Sequence, residues 1–122
     1  MNMAEYDYVN CTPHAITVAG IMEDVTYPPS GKLARVSQTW TMNENGFFQA
    51  AHGPITGLPE PEEGVKVIVS AMVQAANEKQ WKPREDLVTP ATGHPDVKRD
   101  DSGQIKSVPG FCELALRDPM AC

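Results

Sequence analysis

The sequence predicts an α+β domain of mostly antiparallel β-strands with one main helix, at about residues 70–80. Its length of 122 residues is typical of a single domain, so 1–122 is expected to form one compact unit. Eleven prolines and nine glycines interrupt the chain so often that long helices are excluded. The short segments between these breakers are rich in Val, Ile, Thr and aromatic residues, which is typical of strands.

The first half of the chain is expected to contain strands and tight turns. Pro28–Gly31 predicts a rigid turn, because proline fixes φ and glycine permits the exit. Asn43–Gly46 is a polar stretch that predicts a hairpin loop. The strands around these turns are expected at residues 6–11, 15–19, 21–27, 33–42 and 47–51.

The second half contains the one strong helix signal. Val65–Val69 is a compact apolar strand that leads into Ser70, a residue well suited to cap a helix N-terminus. The helix has apolar residues at helical spacing on one face, and Pro83 is expected to end it. Short strands are expected at 87–88, 97–99 and 105–108, and the tail from residue 113 is expected to be a brief helix or mobile.

Composition and charge restrict the function. Hydrophobic residues make up 41% of the chain, too many for a disordered protein, and the net charge is −6. An excess of acidic side chains argues against a broad DNA-binding surface, which needs clustered Lys and Arg. No apolar run approaches the ~20 residues that span a bilayer, and the first residues lack the basic charge of a signal peptide. We therefore expect a cytoplasmic protein that binds neither DNA nor membranes.

Catalytic and metal-binding patterns are weak. Asp100 and Asp101 are adjacent, so on a strand they would point to opposite sides, and at a turn they would cap backbone amides. A dyad of Cys11 and His14 is conceivable, but a buried strand cysteine is the stronger interpretation. Cysteines and histidines are scattered without the spacing of metal ligands. The sequence therefore predicts a protein that is not an enzyme and has neither cofactor nor metal.

Polar side chains that suit ligand binding occur in two places. Asn10–His14 offers an amide, a hydroxyl and an imidazole, although a capped turn with a surface histidine is the stronger interpretation. Arg35, in a predicted strand, faces either solvent or an anion. The richer cluster lies between residues 84 and 100. Its arginines suit phosphate, its aspartate can accept a hydrogen bond from ribose or adenine, and it has two hydroxyls. The residues are Arg84, Arg99, Asp100, Thr89 and Thr92. A solvated hairpin explains this cluster equally well.

Trp81 and Phe111 are aromatic residues that could stack on a base, and core packing is the alternative for both.

Several short pieces of the sequence, taken in their order, resemble a family of small phage and prophage proteins over about residues 9–111. The pieces that carry this resemblance are Val9-Asn10-Cys11-Thr12-Pro13-His14, Pro28-Pro29-Ser30-Gly31 with Ala34-Arg35-Val36, Gly57-Leu58-Pro59-Glu60-Pro61, Val67-Ile68-Val69-Ser70, Asp86-Leu87-Val88-Thr89-Pro90 and Arg99-Asp100-Asp101-Ser102-Gly103-Gln104-Ile105.

The family that these pieces resemble is that of phage anti-Thoeris proteins, which act in the cytoplasm of the infected bacterial host. The resemblance implies a sponge that binds a cyclic ADP-ribose-type messenger, and in some members CBASS cyclic oligonucleotides, without cleaving it. It further implies a homodimer or larger homo-oligomer, with Arg99 and Asp100 contacting the messenger. Two alternatives remain open, a phage structural or assembly subunit and a small enzyme that degrades the same messenger.

Overall fold

The computed structural model describes residues 6–20 and 22–113, so the predicted tail beyond residue 113 lies outside the described residues. Within them the helix α1 covers Ala71–Glu78. The strands are β1 Asp7–Asn10, β2 Ile16–Val18, β3 Val25–Tyr27, β4 Arg35–Met42, β5 Phe48–Thr56, β6 Val65–Ile68, β7 Leu87–Pro90, β8 Lys98–Arg99, β9 Ile105–Ser107 and β10 Phe111–Cys112. The predicted α+β class, with one helix among many strands, is confirmed.

The central sheet has the strand order β1-β6-β7-β10. Its β1–β6 and β6–β7 pairs are parallel, and β10 runs antiparallel to β7. The other three strand pairs, β2–β3, β4–β5 and β8–β9, are antiparallel hairpins, so antiparallel pairs are the majority among the described residues. The parallel pairs were not expected. The β6–β7 pair is parallel because α1 crosses from β6 to β7, and a helical crossover returns the chain in the same direction.

The core lies where the central sheet meets α1. Three residues of this region are at most 1% exposed: Val67 on β6, Val69 just after β6, and Leu87 on β7. Val73 on α1 and Cys11 after β1 belong to the same apolar cluster. An uninterrupted apolar run such as residues 67–69 is typical of a strand covered on both faces.

The helix α1 begins as predicted and ends earlier than predicted. The Ser70 hydroxyl accepts a hydrogen bond from the Val73 amide at 3.3 Å, which is the expected N-cap. Pro83 does not end the helix, because α1 already stops at Glu78. The Asn77 side chain binds both the N–H and the C=O of Arg84, each at 2.9 Å, and so holds the following loop against the helix.

The three hairpins extend from the central sheet and differ in their attachment. Strand β2 is bound to the chain after β9, since the Val108 amide donates to the Thr17 carbonyl and Val108 accepts from the Ala19 amide. Strands β4 and β5 form a two-stranded sheet that α1 contacts.

No helix within the described part of the chain is long and apolar enough to cross a membrane.

Candidate functional site

The turn after β1 is held by the Asn10 side chain. Its amide nitrogen donates to the carbonyls of His14 and Tyr27, both at 2.8 Å. Its oxygen accepts from the Thr12 amide at 2.9 Å and from the Thr12 hydroxyl at 2.7 Å. Asn10 is 2% exposed and fully engaged, so it shapes the turn, while His14 at the same turn is exposed.

A cavity of about 220 Å³ lies between this turn and the β8–β9 hairpin. Its walls are residues 14–17, Pro90, Thr92 and residues 105–108. The structure therefore brings His14 and Thr92, two of the predicted site residues, to one concave surface. The hydrogen bonds between β2 and Val108 tie the two walls together, so the cavity is part of the folded scaffold.

The β8–β9 hairpin places positive charge next to this cavity. Lys98 pairs with Ser107 and Arg99 pairs with Ile105, so the cationic strand borders the strand that forms the cavity wall. Lys106 itself lines the cavity. Arg99 donates one hydrogen bond, from Nη1 to the Gly103 carbonyl at 2.9 Å, and makes no ion pair with any residue that the structure describes. Arg99 as a whole is exposed.

Asp100 holds the turn of this hairpin. Its Oδ1 accepts from the Ser102 hydroxyl at 2.7 Å and from the amides of Ser102 and Gln104 at 2.9 and 3.0 Å. These bonds, above all that from the Ser102 hydroxyl, hold the pKa of Asp100 below its ordinary value of 3.8. The carboxylate thus caps backbone amides, the alternative foreseen for a turn, and it fixes the loop that carries Arg99.

The remaining predicted residues lie outside the cavity wall. Arg84 forms a bidentate pair with Asp86, at 2.9 Å from Nε and 2.6 Å from Nη2, so its fork is occupied. Thr89 is buried in β7, opposite Cys112. Arg35 is exposed at the start of β4. These three positions are separate from the site that His14 and Thr92 share.

The sequence reasoning did not single out Lys106 and Ser107, which line the cavity. A signal was present, because the predicted strands at 97–99 and 105–108 flank a Gly-containing turn. Pairing the two strands across that turn places Lys106 and Ser107 beside Lys98 and Arg99.

The aromatic residues considered for base stacking have different surroundings. Phe111 stacks on Tyr8 with ring centres 4.9 Å apart, and Tyr27 packs against both rings. Trp81 is 95% exposed. Phe111 is therefore half-buried in an aromatic cluster that is not part of the buried core, and Trp81 stands in solvent.

Nucleophilic chemistry at Cys11 is disfavoured. Its side chain is 1% exposed, and burial raises the pKa of the thiol, which reduces the thiolate fraction that a nucleophile needs. His14, three residues away, is exposed. Within the described ranges no group of three or more His, Cys, Asp or Glu side chains is arranged to hold a metal ion.

The chain matches no family model, and no curated protein and no solved structure is significantly similar to it. The resemblance to anti-Thoeris proteins therefore stays a prediction.

Proposed function

We propose that this protein is a phage sponge that binds a cyclic ADP-ribose-type messenger without cleaving it, in the cytoplasm of the infected host. The observation that carries the proposal is the cavity between the Asn10–His14 turn and the β8–β9 hairpin. Its lining provides an imidazole, hydroxyls and the cation Lys106, and Arg99 lies on the strand paired with its wall. Neither cation has an ion-pair partner among the described residues, in a chain with a net charge of −6.

The chemistry of these groups suits a phosphorylated ribose. Arg99 and Lys106 provide charged donors for phosphate oxygens, and the planar guanidinium can bind two of them at once. The hydroxyls of Thr92 and Ser107 both donate and accept, which matches ribose hydroxyl groups. His14 provides an exposed ring for a hydrogen bond or for contact with a base. Asp100 acts in this proposal as a positioning residue for Arg99.

The size of the cavity bears on how the ligand is held. A volume of about 220 Å³ is below the roughly 300–1,000 Å³ of cavities that enclose small molecules. A messenger of cyclic-dinucleotide size is therefore larger than the cavity. The cavity holds only part of it, and the rest extends over the β8–β9 hairpin. The functional unit in this proposal is at least a homodimer.

Incubation of the protein with the messenger, followed by heating, separates this function from the alternatives. A sponge depletes the free messenger and releases it unchanged when the protein is denatured. An altered product would instead identify an enzyme that degrades the messenger. No depletion would contradict binding and favour a structural or assembly subunit.

Matched variants test the assigned residues. Arg99→Ala removes charge-assisted hydrogen bonds of about 1.5–3 kcal/mol, so the dissociation constant should rise about tenfold or more. Lys106→Ala should also weaken binding. Lys82→Ala removes an exposed lysine that does not line the cavity, so it should leave binding unchanged. Calorimetry on the three folded variants provides the comparison. Equal affinities for Arg99→Ala and Lys82→Ala would remove Arg99 from the site.

Competition with linear ADP-ribose tests whether the site recognises the ring. The linear molecule loses more conformational freedom on binding, so it should compete less well than the cyclic messenger. The comparison uses displacement of a labelled cyclic messenger at physiological salt. Equal displacement by linear ADP-ribose or pyrophosphate would show that the site recognises phosphate charge alone.

A further inference from the structure

The β4–β5 hairpin, with its loop at residues 43–47, forms a two-stranded ribbon that is apolar on one face near the loop. Farther from the loop, the same face bears the hydrogen-bonded pair Gln38 and His52. The register of the ribbon pairs Trp40 with Ala50 and Met42 with Phe48. Residues that pair directly across two strands lie on the same face, and residues two apart along one strand share that face. These four residues therefore form one surface, which we call the apolar face. Thr39, Thr41, Gln49 and Ala51 lie on the opposite face.

The apolar face is uncovered in the single chain. Trp40 and Met42 are each 63% exposed, and Phe48 is 68% exposed. Phe47, in the adjoining loop, is 69% exposed. Large side chains at these exposures present together roughly 500 Å² of apolar surface, which is about the size of the largest apolar patch on a typical monomer, and such patches are often functional.

The ribbon also lacks support along its edges. Within the described residues β4 pairs with β5 alone, so the outer edges of both strands have no strand partner there. An isolated two-stranded hairpin is marginally stable in water, and here α1 contacts both β4 and β5. Cover for the apolar face would therefore stabilise the ribbon itself.

The charge distribution indicates what provides the cover. Between residues 36 and 56 the single formally charged side chain is Glu44, in a chain with a net charge of −6. Two copies of an acidic chain repel each other least when they meet through a surface without charge. A partner that exploited this acidity would need acidic contacts at its interface, and the apolar face provides none.

The shape of the apolar face is also compatible with a copy of itself. The bulky Trp40 lies directly opposite the small Ala50, so a ridge stands beside a gap. In a two-fold contact each surface meets itself in reverse, so an axis that passes between the ridge and the gap would set Trp40 of each copy over the gap of the other. A typical interface covers about 800 Å² per partner, so roughly 500 Å² from the apolar residues and the remainder from the ribbon backbone are sufficient.

We propose that the apolar face of the ribbon is the dimer interface of this protein and that its occupant is the same face of a second copy. This inference is independent of the messenger, because no residue of the ribbon lines the candidate cavity. Failure to bind a messenger would therefore leave it unaffected.

Two glutamate substitutions on neighbouring positions of β4 test the proposal. Met42→Glu places a charge on the apolar face, whereas Thr41→Glu places the same charge on the opposite face of the same strand. Both positions are exposed, so both variants should fold, which circular dichroism verifies. Sedimentation velocity of the full chain should show a monomer–dimer equilibrium whose dissociation constant rises at least tenfold in Met42→Glu and less than about threefold in Thr41→Glu.

Tryptophan fluorescence provides a second readout. The chain has two tryptophans, so Trp81→Phe leaves Trp40 as the sole emitter. Its emission should shift to shorter wavelength as the protein concentration rises and the ring is covered. A protein that stays monomeric, a dimer in which Trp40 emission does not shift, or equal effects of the two glutamates would each overturn the proposal.

Discussion

The two hairpins β4–β5 and β8–β9 have the same turn and very different strands. In Asn43–Phe47 and Asp100–Gln104 the first side chain accepts from the amides two and four residues later, at 2.9–3.0 Å. In both, the fourth residue is a glycine with positive φ, +85° at Gly46 and +88° at Gly103. One turn geometry thus serves two unrelated surfaces.

The strands decide what each hairpin does. The β4–β5 ribbon is long, nearly uncharged and apolar on one face, whereas β8 and β9 are short and contain Lys98, Arg99 and Lys106. The turns differ in a single chemical respect, because Asn43 is neutral and Asp100 is a carboxylate. The comparison teaches that a turn geometry shared by two hairpins of one molecule does not predict their function, which depends on the side chains of the adjoining strands.

The largest effect should come from the core, with the ribbon as its contrast. Leu87→Ala creates a cavity at a side chain that is 0% exposed and should lower the free energy of unfolding by about 2–5 kcal/mol. Phe48→Ala, at an exposed position of the ribbon, should change it by less than about 0.5 kcal/mol at a concentration where the chain is monomeric. Urea unfolding of both variants measures the difference. A large loss in Phe48→Ala would mean that the ribbon contributes to the monomer core.

The two glycines should respond alike. An added Cβ at Gly46 or Gly103 meets no atom outside the adjoining residues within 4 Å. The free-energy cost of Gly→Ala therefore comes from holding alanine in the left-handed backbone conformation and is about 1–2 kcal/mol. Exchange of the Phe47 and Gln104 amides should therefore become about 5–30-fold faster in the respective variants, as hydrogen–deuterium exchange would report. Gly93→Ala is the control, since Gly93 is equally unhindered without a positive φ. An effect at one turn alone would show that the two turns differ.

The smallest effect should be a difference in acid response. Asp100 has a lowered pKa in the folded chain, so its stabilisation of the turn is present above the ordinary value of 3.8 and is lost as the pH falls through the folded-state pKa. Acid should therefore weaken protection of the Ser102 and Gln104 amides and spare that of the Phe47 amide. Asp100→Asn copies the Asn43 turn and should abolish the acid sensitivity. Persistence of the sensitivity in Asp100→Asn would assign it to another group.

Local chemistry within a few residues was sufficient to predict many elements. The Ser70 cap and the Asx-type turns at Asn43 and Asp100 rely on side chains that bind backbone groups two to four residues away. The same holds for the Asn10–Thr12 turn, where the structure has the capped geometry that was the stronger interpretation. Helix α1 and most strands were predicted because alternation and helical spacing are properties of the nearby sequence.

The sequence by itself therefore determined the turns, the helix start and the α+β class. Only the tertiary structure decided that β1, β6 and β7 run parallel, because apolar runs do not encode the direction of their neighbours. It also decided that Arg84 binds Asp86 while His14 and Thr92 meet at one cavity. His14 and Thr92 are almost eighty positions apart, and their proximity follows from how the packed sheet and its hairpins bring distant segments together.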